Sequence, residues 1–137
     1  MVDRDLALRR LASLEEYRTQ LAEYAQTTPE AYARDWRTQR VVERTLQLAI
    51  ETCVDLASHV IADRRLRVPA SYAETFEILG EAGLLPENLR RTLVEMARFR
   101  NILVHDYTRL DPARVVTILR DRLGDFDRFR DVILSLL

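Results

Sequence analysis

The chain has one cysteine, Cys53, so no intrachain disulfide can brace it, and a lone thiol suits a reducing compartment. Cys53 sits among Ile50, Val54 and Ala57, where a buried structural thiol is expected rather than a nucleophile. Glycine is scarce as well. Gly80, Gly83 and Gly124 stand apart, so neither a P-loop nor a G-x-G-x-x-G fingerprint is present. No apolar run nears the roughly 20 residues that cross a bilayer. The opening MVDRDLALRRLASL is charged from its third residue and lacks the apolar core of a signal peptide. No period-two alternation bounded by hairpin turns occurs, which argues against strands. Lysine is missing altogether, and all 21 basic residues are arginine. These absences predict a soluble cytoplasmic protein without a membrane segment.

What is present favours helix. The 137 residues are 47% hydrophobic and 31% charged, rich in Leu, Ala, Arg and Glu. At this length one domain, residues 1–137, can bury roughly two-thirds of its unfolded surface. Net charge is only −1, so the whole chain is no polycation. Between Leu84 and Arg120, however, seven arginines face four acids, a local +3 that could hold a phosphate backbone.

Apolar residues recur at helical spacing from about Asp3 to Ala25. Thr28 as cap and Pro29 in a first turn predict a short helix next. A long amphipathic segment follows from about Asp35 to Arg67, broken where Pro69 disfavours helix at Val68. Opposite its apolar face runs a polar stripe of Gln47, Glu51, Asp55 and His59. Ser71 and Glu74 form an S-x-x-E capping box for a short helix ending near Gly83. Pro86 opens a helix from about Glu87 to Val104 or slightly beyond, and Asp111 with Pro112 opens another to near Leu136. The expected fold is all-α, an antiparallel up-and-down bundle of four main helices with one short extra.

One position breaks the pattern. The stripe Leu89, Leu93, Met96, Leu103, Tyr107 includes Arg100, a cation that cannot lose its charge, in a place meant for core. His105, one of two histidines, follows five residues later. Three readings meet here. In the architectural one, Arg100 snorkels or pairs with a buried acid such as Glu51 or Asp55, and His105 merely ends a helix. A metal site fails on spacing: the residue three before His59 is Leu56 and three before His105 is Ile102, where di-metal bundles place Glu. The third reading is metal-free cleavage of RNA. Arginine's planar fork suits the charge of a phosphorane, and histidine suits the proton transfers. Positions 100 and 105 point about 140° apart on an ideal helix, whereas Asn101 and His105, four apart, share a face. One chain makes an awkward site, while two facing chains would pool both pairs in one cleft.

RNILVHDY, residues 100–107, resembles the R-x4-H-x-Y motif of HEPN-domain proteins, specifically the HepT-like toxins of HepT–MntA toxin–antitoxin modules. VERTLQLAIETCVDLASHVIAD (42–63) is similar to that family's second helix, and RFRNILVHDYTRLD (98–111) to its motif helix and exit. The segment Asp111–Leu137 resembles its last helix, so the likeness spans the chain after Asp35, and no motif position departs from the pattern. The resemblance implies a homodimeric, metal-independent endoribonuclease without a cofactor, the toxin of a type VII-like module. It implies a nucleotidyltransferase antitoxin (MntA-like) that silences the toxin by adenylylating the motif tyrosine. By position, Arg100 and His105 become the catalytic pair, Asn101 a supporting polar residue and Tyr107 the modification target. Two other classes share these residues: a non-catalytic HEPN module binding nucleotide or a partner enzyme, and a plain helical interaction protein.

Overall fold

The computed structural model describes residues 3–137. Among them seven α-helices succeed one another without a strand: α1 (Arg4–Ala22), α2 (Pro29–Arg34), α3 (Trp36–Asp63), α4 (Tyr72–Glu81), α5 (Glu87–His105), α6 (Pro112–Asp121) and α7 (Gly124–Ser135). A single 3-10 turn, Tyr107–Arg109, follows α5. No helix among the described residues is long and apolar enough to cross a membrane.

The helix starts follow local chemistry. The side chains of Asp3, Thr28, Asp35, Ser71 and Asp111 each accept a hydrogen bond from a first-turn N–H that has no intrahelical partner. The capping box of α4 is half formed. Glu74 N–H donates to Ser71 Oγ, but the Glu74 carboxylate accepts from Ala70 N–H and from Arg67. Arg67 also reaches Glu81, and its guanidinium gathers both ends of α4.

The long α3 is the centre of the antiparallel bundle, packing against α1, α2, α4, α5 and α7. Its buried stripe includes Val42, Leu46, Ala49, Cys53, Leu56 and Val60, and burial raises the Cys53 thiol well above its ordinary range. Aromatic rings fill the space between α4 and α7, with Phe76 and Phe129 meeting edge to face at 5.8 Å.

Two boundaries differ most from the sequence expectation, and α1 also ends at Ala22 instead of near Ala25. α3 stops at Asp63, four residues short of Arg67, because Arg65 turns left-handed at φ 54° and Leu66 N–H bonds back to Ile61 O at 3.0 Å. The last segment is two helices rather than one. Arg122 leaves the helix at φ −119°, ψ −1°, and the N–H groups of Asp125 and Phe126 fall back on carbonyls three residues earlier. The halves serve different neighbours: α6 packs on α2, and α7 packs on α1, α3 and α5. Leu119, Leu123, Phe126, Phe129 and Ile133 stay buried and in helical phase through the break, so periodicity alone hides it.

Candidate active site

The packing of α3 on α5 sets the polar stripe of α3 against the carboxyl end of α5. Glu51, on that stripe, receives Arg100. Its Oε2 accepts from Arg100 Nε at 2.8 Å and from Gln47 Nε2 at 3.1 Å, with Arg100 Nη2 in ion-pair contact at 2.8 Å. The Arg100 guanidinium also lies over the ring of Tyr72, 4.7 Å from its centroid, at the first residue of α4. Its remaining edge, Nη1, donates to Asn101 Oδ1 at 3.3 Å. The Arg100 side chain is thus only 14% exposed, and three elements fix it.

Asp55, one turn further along the stripe, does not reach Arg100. It accepts from Arg10 on α1 at 2.8 Å and stands 3.7 Å from His59 Nε2. α1 packs on the same helix and supplies a nearer cation. A charged group this well enclosed loses heavily when its partner goes. Glu51→Ala is therefore expected to cost roughly 1–3 kcal/mol of folding stability, and a denaturant titration reads it.

His105 is the last residue of α5 and exposed, and its imidazole makes no hydrogen bond among the described residues. Asn101 is exposed one turn before it on the same helix. After Asp106 the chain enters the 3-10 turn and presents Tyr107, 47% exposed. The Tyr107 hydroxyl donates to Glu43 Oε1 at 2.7 Å and accepts from Arg40 Nη1 at 3.2 Å. The other Glu43 oxygen accepts from the Tyr32 hydroxyl at 2.7 Å, and Glu43 itself is buried. A single carboxylate therefore joins Tyr32 on α2, its own helix α3, and the motif tyrosine. An open pocket of about 210 Å³ lies beside it, lined by Arg40, Glu43, Arg44, Gln47, Leu103 and Tyr107. Among the described residues no three His, Cys, Asp or Glu side chains gather as a metal site would.

Both phenols are harder to ionise than an ordinary tyrosine. The Glu43 hydrogen bond comes first for Tyr107, then burial and the Glu43 charge, with Arg40 opposing. Burial comes first for Tyr32, then the same hydrogen bond and charge. A folded-state value raised above the unfolded one lends stability that is intact below the unfolded value and lost as pH rises toward the folded one. Melting temperature should accordingly fall as pH passes about 10. Tyr32→Phe should start lower, because Glu43 loses a donor, but fall less over the same range. Thermal scans by circular dichroism between neutral and alkaline pH check this.

The family model described as Ribonuclease HepT-like matches residues 14–133. The chain belongs to that family. It is 35% identical over 102 residues to the mRNA nuclease HepT of Shewanella oneidensis, across 74% of this chain and 77% of that one. It is 29% identical over 108 residues to the tRNA nuclease HepT of Aphanizomenon flos-aquae, across 77% and 72%. Among solved structures, the tri-AMPylated Shewanella oneidensis HEPN toxin in complex with an MNT antitoxin superposes with a TM-score of 0.88 at 29% identity, covering 96% of this chain and 98% of that one. A toxin–antitoxin structure with AMP-PNP gives 0.89 at 28% identity, covering 96% and 99%.

In this HepT-like chain the structure adds residues that the motif does not name. Glu43 was within reach of the sequence: Glu43, Gln47, Glu51, Asp55 and His59 are all four apart, so the polar stripe begins one turn before Gln47. Tyr72 and Arg40 carry no such signal. Only the packing of α4 and α3 on α5 and its exit brings them to the motif.

Proposed function

We propose that this HepT-like chain is the toxin of a toxin–antitoxin pair, a homodimeric endoribonuclease that cleaves RNA without a metal ion. In this reading a nucleotidyltransferase antitoxin silences it by adenylylating Tyr107. The observation that carries the nuclease half is the state of Arg100: held by Glu51 and Tyr72, it keeps one edge toward Asn101, with His105 unencumbered at the same helix end. A clamped guanidinium loses little freedom when it meets a phosphate, and its charge opposes that of a phosphorane. His105 moves protons, either from the ribose 2′-hydroxyl or to the departing 5′-oxygen. Because positions 100 and 105 diverge by about 140° on one helix, the two tasks fall to facing chains. A two-fold axis brings the same patch of each together. The nuclease names of the two relatives, and the antitoxin and AMP in the solved neighbours, support this reading.

The test combines assembly with chemistry. Sedimentation at micromolar concentration should give a dimer, and the dimer should cleave RNA in the presence of EDTA. Monomer alone, or activity abolished by EDTA, would overturn the corresponding part.

One observation favours a second reading, a non-catalytic HEPN module that binds nucleotide or its partner enzyme. Glu51 already compensates the charge of Arg100, which weakens its hold on a substrate phosphate. That module would bind RNA or nucleotide, lose binding with Arg100→Ala, and cleave nothing with or without divalent metal.

A further inference from the structure

The nuclease reading uses Arg100 and His105 and leaves Glu43 without a task. Glu43 is 8% exposed, and burying a carboxylate is costly unless its oxygens are met. Here they are met by two phenols of very different standing. Tyr32 is 1% exposed, inside the core, and pins Oε2 from behind. Tyr107 stands at the rim, with its oxygen 2.7 Å from Oε1 and its other side toward the pocket of Arg40 and Arg44. Arg40 lies 3.2 Å from the same phenolic oxygen, and Arg44 is exposed one turn later on α3. The arrangement is a nucleophile with an acceptor for its proton and two cations on the approach side.

We propose that Glu43 is the general base for adenylylation of Tyr107, and that Arg40 and Arg44 hold the phosphates of the incoming nucleoside triphosphate. The inference rests on the reading of Tyr107 as the modified residue. In the step, Tyr107 Oη bonds to the α-phosphorus of ATP, the bond from that phosphorus to the β-bridging oxygen breaks, and pyrophosphate leaves. The phenolic proton passes to Glu43 Oε1 along the existing hydrogen bond and then to water, so no oxidant or reductant enters. The same carboxylate discourages the phenol from ionising beforehand, so the proton must leave as the new bond forms. That is the situation in which a positioned base helps most. The arginines offset the repulsion between the carboxylate and the arriving phosphates. The titratable or charged groups facing Glu43 are Tyr32 from α2, Tyr107 from the 3-10 turn, and Arg40 and Arg44 from α3. The start of α6 contributes Pro112, and the preceding residue Leu110, neither of which titrates.

The experiment incubates the full chain with magnesium ATP and a nucleotidyltransferase antitoxin, and follows AMP addition by intact mass and peptide mapping. Glu43→Gln, nearly the same shape, should lower the rate of Tyr107 modification by on the order of 10²-fold. It should also move the acid limb of the pH–rate profile upward, toward the phenol's own ionisation, while Glu43→Asp recovers part of the rate. Difluorotyrosine at position 107 ionises more readily and should restore most of the rate lost in Glu43→Gln. Should Glu43→Gln fail to fold, Glu43→Asp carries the test, because its shorter carboxylate should leave Tyr107 modified more slowly than in the wild type and difluorotyrosine at position 107 should restore the difference. Modification of folded Glu43→Gln at the wild-type rate and pH profile, or of Glu43→Asp at the full wild-type rate, overturns the role of Glu43 and leaves Tyr107 as the target. A wild-type chain that gains AMP elsewhere but not on Tyr107 fails the reading beneath it, and the inference falls with it.

Discussion

Alanine at His105 should lower the rate of RNA cleavage by on the order of 10²-fold or more with little change in stability. The imidazole is exposed at the end of α5 and makes no hydrogen bond among the described residues, so its removal opens no cavity and strands no partner. Arg100→Ala should cost a similar or larger factor through lost charge stabilisation, but with a different signature. Glu51 would keep only Gln47, and the ring of Tyr72 would lose its cation. Unfolding should therefore shift in Arg100→Ala and not in His105→Ala. Cleavage of a labelled RNA in EDTA, paired with denaturant titrations of both variants, separates the contributions. Undiminished cleavage by His105→Ala would remove histidine from the mechanism.

Tyr107→Phe should escape silencing. The substitution keeps the ring of this half-exposed residue and removes one oxygen, which among the described residues is bonded to Glu43 and Arg40. The fold should survive, since Glu43 retains the buried Tyr32 hydroxyl. RNA cleavage should continue, because the phenol has no proton-transfer task in it. What the variant lacks is the oxygen that accepts AMP. An AMP group on the wild-type tyrosine would place negative charge and bulk at the exit of the motif helix, where substrate phosphate must approach. Host cells making Tyr107→Phe together with a competent antitoxin should stop growing while the wild-type pair grows. Intact mass should show AMP on the wild type and none at position 107 of the variant. Full neutralisation of a toxin that carries no AMP would mean inhibition by binding alone.

The parts of this molecule that local chemistry decides were readable in the sequence. Ser, Thr and Asp caps and first-turn prolines mark helix starts because an orphan N–H is satisfied within three residues. The misplaced cation at Arg100 stood out because a helical stripe has a fixed period, and the acid that meets it, Glu51, lies on a stripe of the same kind. Legibility ended where neighbours come from elsewhere. Asp55 had equal standing with Glu51 on α3, but the packing of α1 gives it Arg10. Tyr72 lies 28 residues before Arg100, and no spacing links them. The break between α6 and α7 was hidden because both halves bury residues in one continuous phase. Glu43 matched the period of the stripe, but its partners Tyr32 and Tyr107 come from α2 and the 3-10 turn, and no spacing links them to it.

In the proposed dimer two chains share one cleft, each supplying Arg100 and His105. Mixing the two inactive variants tests it most directly. Arg100→Ala and His105→Ala chains, differently tagged, can be denatured, refolded together and isolated as the heterodimer carrying both tags. The shared cleft then holds one arginine and one histidine from opposite chains, and the heterodimer should recover RNA cleavage that neither parent dimer has. A heterodimer as inactive as its parents would contradict the shared cleft and confine whatever chemistry exists to a single chain.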